Sequence, residues 1–294
     1  MILLTGATGL VGGALLPRLL GDGETVRCLV RDPRRLGAQR VRVQIALGDL
    51  ADPPSFRNAM RGVDTIVHLA ASTRDQAGAS IEELAGIASW RMVDAAQRAG
   101  AQRFVFLSVL GASTHHRARL FRAKALAEQA VGESELHTTI LAPSVVYAPG
   151  DRRAQMLARL SLLPAVPVPG SGGAPVQPIW AEDVAECVRA ALRRPANDGH
   201  ERYELVGPQT LTWAQTLRLL LRSLERPRPL LHVPTPLASR ALRTLERSGA
   251  SSLLPTWDEA ELAEVAMVSS TGTAGAARLG VQPKPMTAVL GVER

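Results

Sequence analysis

Apolar and polar positions follow two alternating periods along the first half of the chain. Short apolar or alternating runs typical of strands cover residues 1–5, 24–31, 40–49, 64–71, 103–109 and 137–147. Segments with helical spacing of apolar residues cover 10–20, 52–61, 80–99 and 118–132. Strands that alternate with helices build βαβ units, so the pattern predicts an α/β fold around a doubly wound, Rossmann-type parallel sheet.

The pattern becomes less regular after about residue 150. It predicts helices at 181–193, 212–224 and 236–248 and a short strand at 202–206. The proline-rich segments 163–178 and 226–236 are predicted to be a loop and a linker. We expect a larger domain over 1–148 and a smaller, mixed region over 149–294. Part of 176–194 is expected to pack back on the first domain.

The composition narrows the classes of function. A chain of 294 residues can hold one large α/β domain with a smaller cap, and its net charge of +7 favours anionic partners. Scattered arginines and 3% aromatic residues argue against nucleic acid. Two cysteines form no disulfide framework, and the sequence shows neither a signal peptide nor an apolar run of membrane-spanning length. We predict a cytoplasmic protein without a metal site.

The stretch "TGATGLVG" places Gly6, Gly9 and Gly12 after the first strand and at the start of the first helix. A chain that turns sharply there can bring its backbone against a pyrophosphate, which a side chain would obstruct. The free N–H groups of a helix start also favour phosphate. We therefore predict a dinucleotide site; the alternative is a turn with only a structural role.

The end of the second strand, "CLVRDP", bears on which dinucleotide binds. Sites for NAD usually carry an acidic residue about 20 positions beyond the glycines, whereas this chain has Arg31. A guanidinium suits a 2′-phosphate. Asp32 follows, but neighbouring strand residues point to opposite faces. NADP(H) is therefore favoured over NAD(H), unless Arg31 is only a solvated strand end.

Eight motifs in order resemble the short-chain dehydrogenase/reductase superfamily in its atypical branch. They are "TGATGLVG", "VRCLVRDP", "GDLAD", "VDTIVHLAA", "FVFLSV", "RAKALAE", "LAPSVVYAPGD" and "QPIWAEDVAECV". The chain looks similar to bacterial relatives of the NADPH-binding accessory subunit of respiratory complex I and to NmrA-like proteins.

The resemblance implies a set of cofactor contacts and two catalytic positions. Asp49 and Leu50 would flank the adenine, Ala70 and Ala71 would line the path to the nicotinamide ribose, and Lys124 would bond that ribose. Ser108 matches the substrate-side serine. The remaining implied cofactor contacts are Thr5, Gly6, Thr8, Gly9, Leu10, Val11, Gly12, Arg31, Pro143, Ser144 and Val145. Non-functional roles stay open: Asp49 could start a turn, Ser108 could cap a strand, and Lys124 could be a solvated helix residue.

One position departs from the family pattern. Leu120 stands where the pattern has a tyrosine, four residues before Lys124 and on the same helix face. Leucine cannot donate a proton, and losing a positioned general acid costs about 10²- to 10⁴-fold in rate. Substitute donors would be Ser108, His116 or Tyr147.

Two hypotheses about function follow, with a third that is weaker. The chain is an NADPH-dependent oxidoreductase of an unidentified small molecule whose chemistry does not need the tyrosine, as the resemblance to isoflavone-reductase-like and triphenylmethane-reductase-like proteins implies. Alternatively, it is a non-catalytic NADPH-binding module for structure, assembly or redox sensing, with a protein partner. A nucleic-acid or membrane partner protein rests on the positive charge alone.

Overall fold

The structure, a computed structural model, describes residues 1–76, 78–195, 199–247 and 256–292. The chain forms two units, and neither is continuous in sequence. The first unit comprises Met1–Pro143, Ala181–Leu205 and Ala274–Gln282. The second comprises Ser144–Trp180, Val206–Thr273 and Pro283–Arg294.

Seven parallel strands form the sheet of the first unit, in the order β11-β6-β5-β4-β1-β2-β3. The strands are β1 (Ile2–Thr5), β2 (Val26–Val30), β3 (Gln44–Leu47), β4 (Thr65–His68), β5 (Arg103–Leu107), β6 (His137–Pro143) and β11 (His200–Leu205). The strand order reverses between β1 and β4, which is the place where open α/β sheets bind ligands. The predicted doubly wound parallel sheet is confirmed.

The helices of the first unit connect these strands. They are α1 (Leu10–Gly21), α2 (Pro53–Arg57), α3 (Ala88–Arg98), α4 (Arg119–Gly132), α6 (Ala181–Arg193) and α10 (Ala274–Arg278), with 3₁₀ turns at Pro33–Arg42 and Asn58–Met60. A π-helical turn, Glu83–Ile87, leads directly into α3. It brings Gly86 so close to α4 that a Cβ there would lie 3.3 Å from the Ala123 carbonyl oxygen.

The core of the first unit explains why its strands read as continuous apolar runs. All four residues of β1 are buried, since parallel strands are covered on both faces. Phe104 and Phe106 of β5 pack with Met92 of α3 and Val131 of α4 in one cluster. The periodicity of the first half therefore reports burial against this sheet.

The second unit combines short strand pairs with helices. Its strands pair as β7 (Val146–Tyr147) with β10 (Ile179–Trp180), β9 (Pro175–Val176) with β12 (Leu211–Thr212), and β8 (Val166–Pro169) with β13 (Leu230–Val233). Its helices are α5 (Arg152–Leu160), α7 (Trp213–Ser223), α8 (Thr235–Arg247), α9 (Trp257–Leu262) and α11 (Met286–Leu290). Tyr147, Val166, Leu220 and Met286 share its core.

Three segments differ from the sequence prediction. The third strand begins only at Gln44, because Asp32 caps a 3₁₀ turn that opens with Pro33 and ends at Arg42. The segments predicted as loop and linker contain β8 and β13. Their prolines suggested irregular chain, yet Val166 and Val168 are buried in the alternation of a strand. Residue 248, the predicted end of the last helix, lies outside the described residues.

Candidate nucleotide-binding site

The three loop glycines meet different constraints in the structure. Gly6 has a φ of +73°, and a Cβ there would lie 2.7 Å from the Ala70 nitrogen. A Cβ at Gly12 would lie 2.1 Å from the Gly6 carbonyl oxygen. Among the described residues, the only atom within 4 Å of a Cβ at Gly9 is that same oxygen, at 3.2 Å. Gly6 and Gly12 are therefore required by the fold, and Gly9 leaves its space open to a ligand.

The first turn of α1 has N–H groups to offer a ligand. Gly9 is the N-cap residue, no side chain caps this end, and no acidic residue lies in the first turn. Leu10, Val11 and Gly12 follow the cap, and their N–H groups have no intrahelical acceptor. This end of the helix, with its partial positive charge, fits a phosphate.

A cavity of about 210 Å³ lies at the carboxyl ends of β1, β2 and β4. Of the predicted cofactor contacts it is lined by Thr5, Gly6, Thr8, Gly9, Arg31, Asp49, Leu50, Ala70 and Ala71. Nine other lining residues were not among the predicted contacts: Ala7, Leu29, Val30, Arg35, Gly48, Leu69, Ser72, Gln76 and Leu84. The surplus of arginine after β2 could have indicated Arg35, whereas Ser72 and Gln76 lie on irregular chain and Leu84 lies in the π-helical turn.

Two arginines face the cavity beyond β2, and Asp49 of the cavity wall lies within ion-pair distance of Arg31. Arg31 and Arg35 line it, whereas the side chain of Asp32 accepts a hydrogen bond from the Arg34 nitrogen at 3.0 Å. Arg31 is 54% exposed and donates through Nη1 to the Gln76 side-chain oxygen. Guanidinium groups such as these two are side chains that bind phosphate.

Asp49 has both a turn role and a place in the cavity wall. Its Oδ1 accepts from the Ala51 nitrogen at 3.0 Å, and its Oδ2 lies 4.0 Å from Arg31 Nη1. The Ser55 hydroxyl accepts from its backbone N–H at 2.9 Å. The carboxylate thus starts the turn after β3 and remains within reach of a ligand in the cavity.

A chain of buried hydrogen bonds lies beneath the glycine loop. Ser89 Oγ donates to the Ala85 carbonyl at 2.9 Å, so it accepts from His68 Nε2 at 3.0 Å. His68 Nδ1 must then accept from Thr5 Oγ1, at 2.8 Å, and Thr5 Oγ1 accepts from the Ala70 nitrogen at 3.3 Å. Burial, with a smaller contribution from nearby Lys124, lowers the pKa of His68 to about 3. A neutral His68 therefore ties β1 and β4 to the π-helical turn.

Lys124 is buried, with only 3% of the residue exposed. Its Nζ donates to the Leu107 carbonyl at 2.6 Å and lies 4.4 Å from the centre of the Phe106 ring. Burial lowers the pKa of Lys124 to about 7, and Glu128 opposes this weakly. The solvated-lysine alternative does not describe this residue. Leu120 lies one turn earlier on α4 and is half-buried.

Ser108 and His116 belong to the same unit as Lys124. Ser108 follows Leu107 at the end of β5, and its buried hydroxyl has no hydrogen-bond partner among the described residues. The His116 ring stacks on Phe121 at 4.4 Å, and its Nδ1 accepts from the Ala118 nitrogen at 3.0 Å. Burial lowers the pKa of His116. An unpartnered hydroxyl beside the lysine's acceptor carbonyl fits an added ligand oxygen.

The remaining predicted residues lie at the end of β6 and in the second unit. The Pro143 carbonyl accepts from the Leu110 nitrogen at 2.8 Å. Ser144 Oγ donates to the Met267 carbonyl at 2.8 Å, and the Val145 carbonyl accepts from the Ile179 nitrogen at 2.9 Å. Tyr147 is fully buried in the core of the second unit.

A protein-family model described as NAD(P)H-binding matches residues 6–195, which contain the glycine loop, Arg31, Ser108 and Lys124. The chain belongs to this NAD(P)H-binding family. The match supports the superfamily inferred from the motifs, and it supports a nicotinamide cofactor for the chain.

Relatives within the family include reductases and a respiratory subunit. The chain is 30% identical over 282 residues to (4-alkanoyl-5-oxo-2,5-dihydrofuran-3-yl)methyl phosphate reductase from Streptomyces griseus, covering 88% of this chain and 92% of that protein. It is 27% identical to the mitochondrial NADH dehydrogenase [ubiquinone] 1 alpha subcomplex subunit 9 of Arabidopsis thaliana, covering 79% of this chain and 60% of that protein. An NADPH-dependent quinone oxidoreductase from Escherichia coli, solved with NADPH, has the same fold, with a TM-score of 0.75, 18% identity and 99% of each chain covered.

Proposed function

We propose that the chain is an NADPH-dependent reductase that acts on an electron-poor carbon–carbon double bond conjugated to a carbonyl group. The observation that carries the proposal is Leu120, which removes the phenol from a site that keeps the glycine loop, Ser108 and the buried Lys124. When bound, a reduced nicotinamide supplies a hydride. What the missing phenol decides is which acceptor can receive that hydride.

A ketone and a conjugated alkene place different demands on the protein. Reduction of a ketone creates a localised, strongly basic alkoxide, which needs a positioned acid. Hydride addition to a conjugated alkene creates an enolate whose charge spreads to the carbonyl oxygen, so a weaker donor is enough. The name of the Streptomyces griseus relative describes such a substrate, a dihydrofuranone with a second carbonyl in its alkanoyl group.

Ser108, after β5, and Lys124, on α4, have distinct roles in this proposal. The Ser108 hydroxyl donates a hydrogen bond to the substrate oxygen. This hydroxyl has no competing hydrogen-bond partner among the described residues. Lys124 holds the nicotinamide ribose and can change protonation near neutral pH, because burial lowers its pKa to about 7. His116 remains an alternative proton donor, whereas Tyr147 is fully buried in the core of the second unit.

The preference for NADPH rests on the two arginines of the cavity wall. Arg31→Ala should weaken NADPH binding by about 1.5–3 kcal/mol, the scale of a hydrogen bond to a charged group, and leave NADH nearly unchanged. Arg34→Ala is the matched control, since Arg34 is exposed and does not line the cavity. Isothermal titration with both cofactors measures the difference. Equal affinities of the unmutated protein for NADPH and NADH would overturn the preference.

The reductase proposal is tested by following NADPH oxidation with paired substrates. An acyl butenolide and its saturated ketone counterpart differ in the conjugated double bond. We expect turnover of the butenolide only, and a loss of at least tenfold in kcat for Ser108→Ala with NADPH affinity retained. Faster reduction of the saturated ketone would refute the proposal.

A second candidate is a non-catalytic NADPH-binding module. The same missing phenol supports it, as does the similarity to a subunit of NADH dehydrogenase. Tight NADPH binding without oxidation by any of the conjugated carbonyl compounds, quinones and ketones in a broad panel would favour this module over the reductase.

A further inference from the structure

Large apolar side chains are exposed in the second unit beside a proline-rich strand pair. Leu162 is 75% exposed and Leu163 48%, in the turn that follows α5. Leu231, in β13, is 58% exposed. Together with Arg226 and Arg228, both exposed, these residues are named here the leucine–arginine surface.

Hydrogen bonds hold the members of this surface together. Arg228 Nε donates to the Ser161 carbonyl at 3.0 Å, one residue before Leu162. Arg226 Nη1 donates to the Ala158 carbonyl at 3.3 Å, in the last turns of α5. The chain from Arg226 to Leu231 therefore runs beside the turn that carries the two leucines.

The chain that leads into β13 carries mostly positive charge. Residues 218–228 contain four arginines, at positions 218, 222, 226 and 228, and a single acidic residue, Glu225. This segment contains no lysine or aspartate. Four positive charges against one negative charge make an anionic partner the complementary one.

The shape and chemistry of the surface select among anionic partners. Pro167 and Pro169 of β8, with Pro227 and Pro229 before β13, remove N–H groups that an added strand would need. The stretches 158–170 and 222–237 contain no phenylalanine, tyrosine or tryptophan, so they offer no stacking platform for nucleic-acid bases. Leucines that project from a turn, flanked by arginines, fit the boundary between lipid headgroups and acyl chains.

We propose that the leucine–arginine surface docks the protein on a bilayer that contains anionic phospholipids. The leucines enter the acyl boundary, and Arg226 and Arg228 contact lipid phosphates. Among the described residues, no helix is long and apolar enough to cross a bilayer, so this contact lies on the membrane surface. The inference does not depend on the reductase proposal.

The test measures co-sedimentation of the full chain with vesicles of phosphatidylcholine alone or with added phosphatidylglycerol. We expect binding only to the anionic vesicles and weaker binding at high salt. The double variant Arg226→Gln/Arg228→Gln should lower partitioning about 25-fold, at about fivefold per arginine. Leu162→Ser should lower it about tenfold at low and high salt alike.

Matched variants in the first unit test whether vesicle binding depends on the leucine–arginine surface itself or only on net charge and exposed apolar area. Arg40→Gln/Arg42→Gln removes the same charge from exposed positions of the first unit, and Leu126→Ser removes a leucine that is 56% exposed on α4. Both should bind vesicles as the unmutated chain does. Thermal unfolding of every variant confirms that it is folded. Equal losses for the paired variants, equal binding to neutral vesicles, or preferential binding to polyglutamate or DNA would overturn the proposal.

Discussion

Replacing Lys124 with methionine should make the protein more stable at neutral pH. Burial lowers the pKa of this lysine from 10.5 to about 7, so at pH 7 about half of the folded molecules have lost this proton while the unfolded chain keeps it. A shift of this size corresponds to a penalty of about 4 kcal/mol at pH 7. Methionine is similar in length and carries no charge, but it leaves the Leu107 carbonyl without its donor, which costs about 1–2 kcal/mol. The expected net gain is about 2–3 kcal/mol.

The pH dependence gives this prediction its sign. Between pH 7 and 10.5 the unfolded chain holds a proton on Lys124 that the folded chain has lost. The free energy of unfolding should therefore rise with pH across this window, by about 2 kcal/mol between pH 7 and 9. Below pH 7 the penalty is complete and constant. Lys124→Met lacks the titrating group, so its free energy of unfolding should not show this rise with pH. The difference in stability between the variant and the unmutated chain should therefore shrink as pH increases.

Urea denaturation at several pH values from 7 to 9 measures both effects. Lys284→Met is the control, because Lys284 is the other lysine of the chain and is exposed. The two variants should differ in both stability and pH slope. If Lys124→Met unfolds more easily than the unmutated chain at pH 7, or if their stabilities change in parallel with pH, burial is not the dominant influence on this lysine.

Three other predictions concern the glycine loop and the missing phenol. Gly13→Ala should stabilise the protein by about 0.5–1 kcal/mol, because a Cβ there meets nothing within 4 Å. Gly12→Ala should destabilise it by about 1–3 kcal/mol, because its Cβ must displace a backbone oxygen 2.1 Å away. Thermal unfolding of the two variants measures the difference. Gly9→Val should stay folded yet show no NADPH binding by calorimetry, and unchanged binding would place the cofactor elsewhere. Leu120→Tyr should gain weak ketone reduction with NADPH, and a complete lack of gain with the cofactor bound would count against an intact catalytic site.

The sequence predicted the sheet and the phosphate-binding end of the site because both depend on local patterns. Buried parallel strands read as apolar runs, and the close approaches at Gly6 and Gly12 admit no other residue. Gln76 could not be predicted, since it follows β4 on irregular chain whose path has no periodicity, and the pattern did not show that Arg35, in the 3₁₀ turn after β2, faces the cavity. Hydrophobic patterning placed Lys124 on a helix, but a charged residue carries no sign of its own burial.

The strands β8 and β13 show a different limit. Valine alternates with proline in β8, and the prolines indicated a loop although the valines are buried. The π-helical turn Glu83–Ile87 was likewise invisible, because a single wider turn hardly changes the apolar spacing of residues 80–99. These features could not be predicted because they depend on tertiary contacts, which local sequence patterns do not show.

The first unit is completed by segments that lie late in the chain. Its edge strand β11 and helix α6 come from residues 181–205, after an excursion into the second unit, and α10 comes later still. Arg103 of β5 donates to the carbonyls of Ala191, Leu192 and Arg194 at the end of α6. A nascent chain of 143 residues contains the entire glycine loop. It lacks β11, which pairs with β6 in the complete sheet, so β6 is an open edge at that stage. The glycine loop is therefore synthesised well before the last strand of the sheet. A chain released from the ribosome at that stage would expose the edge of β6, which favours aggregation.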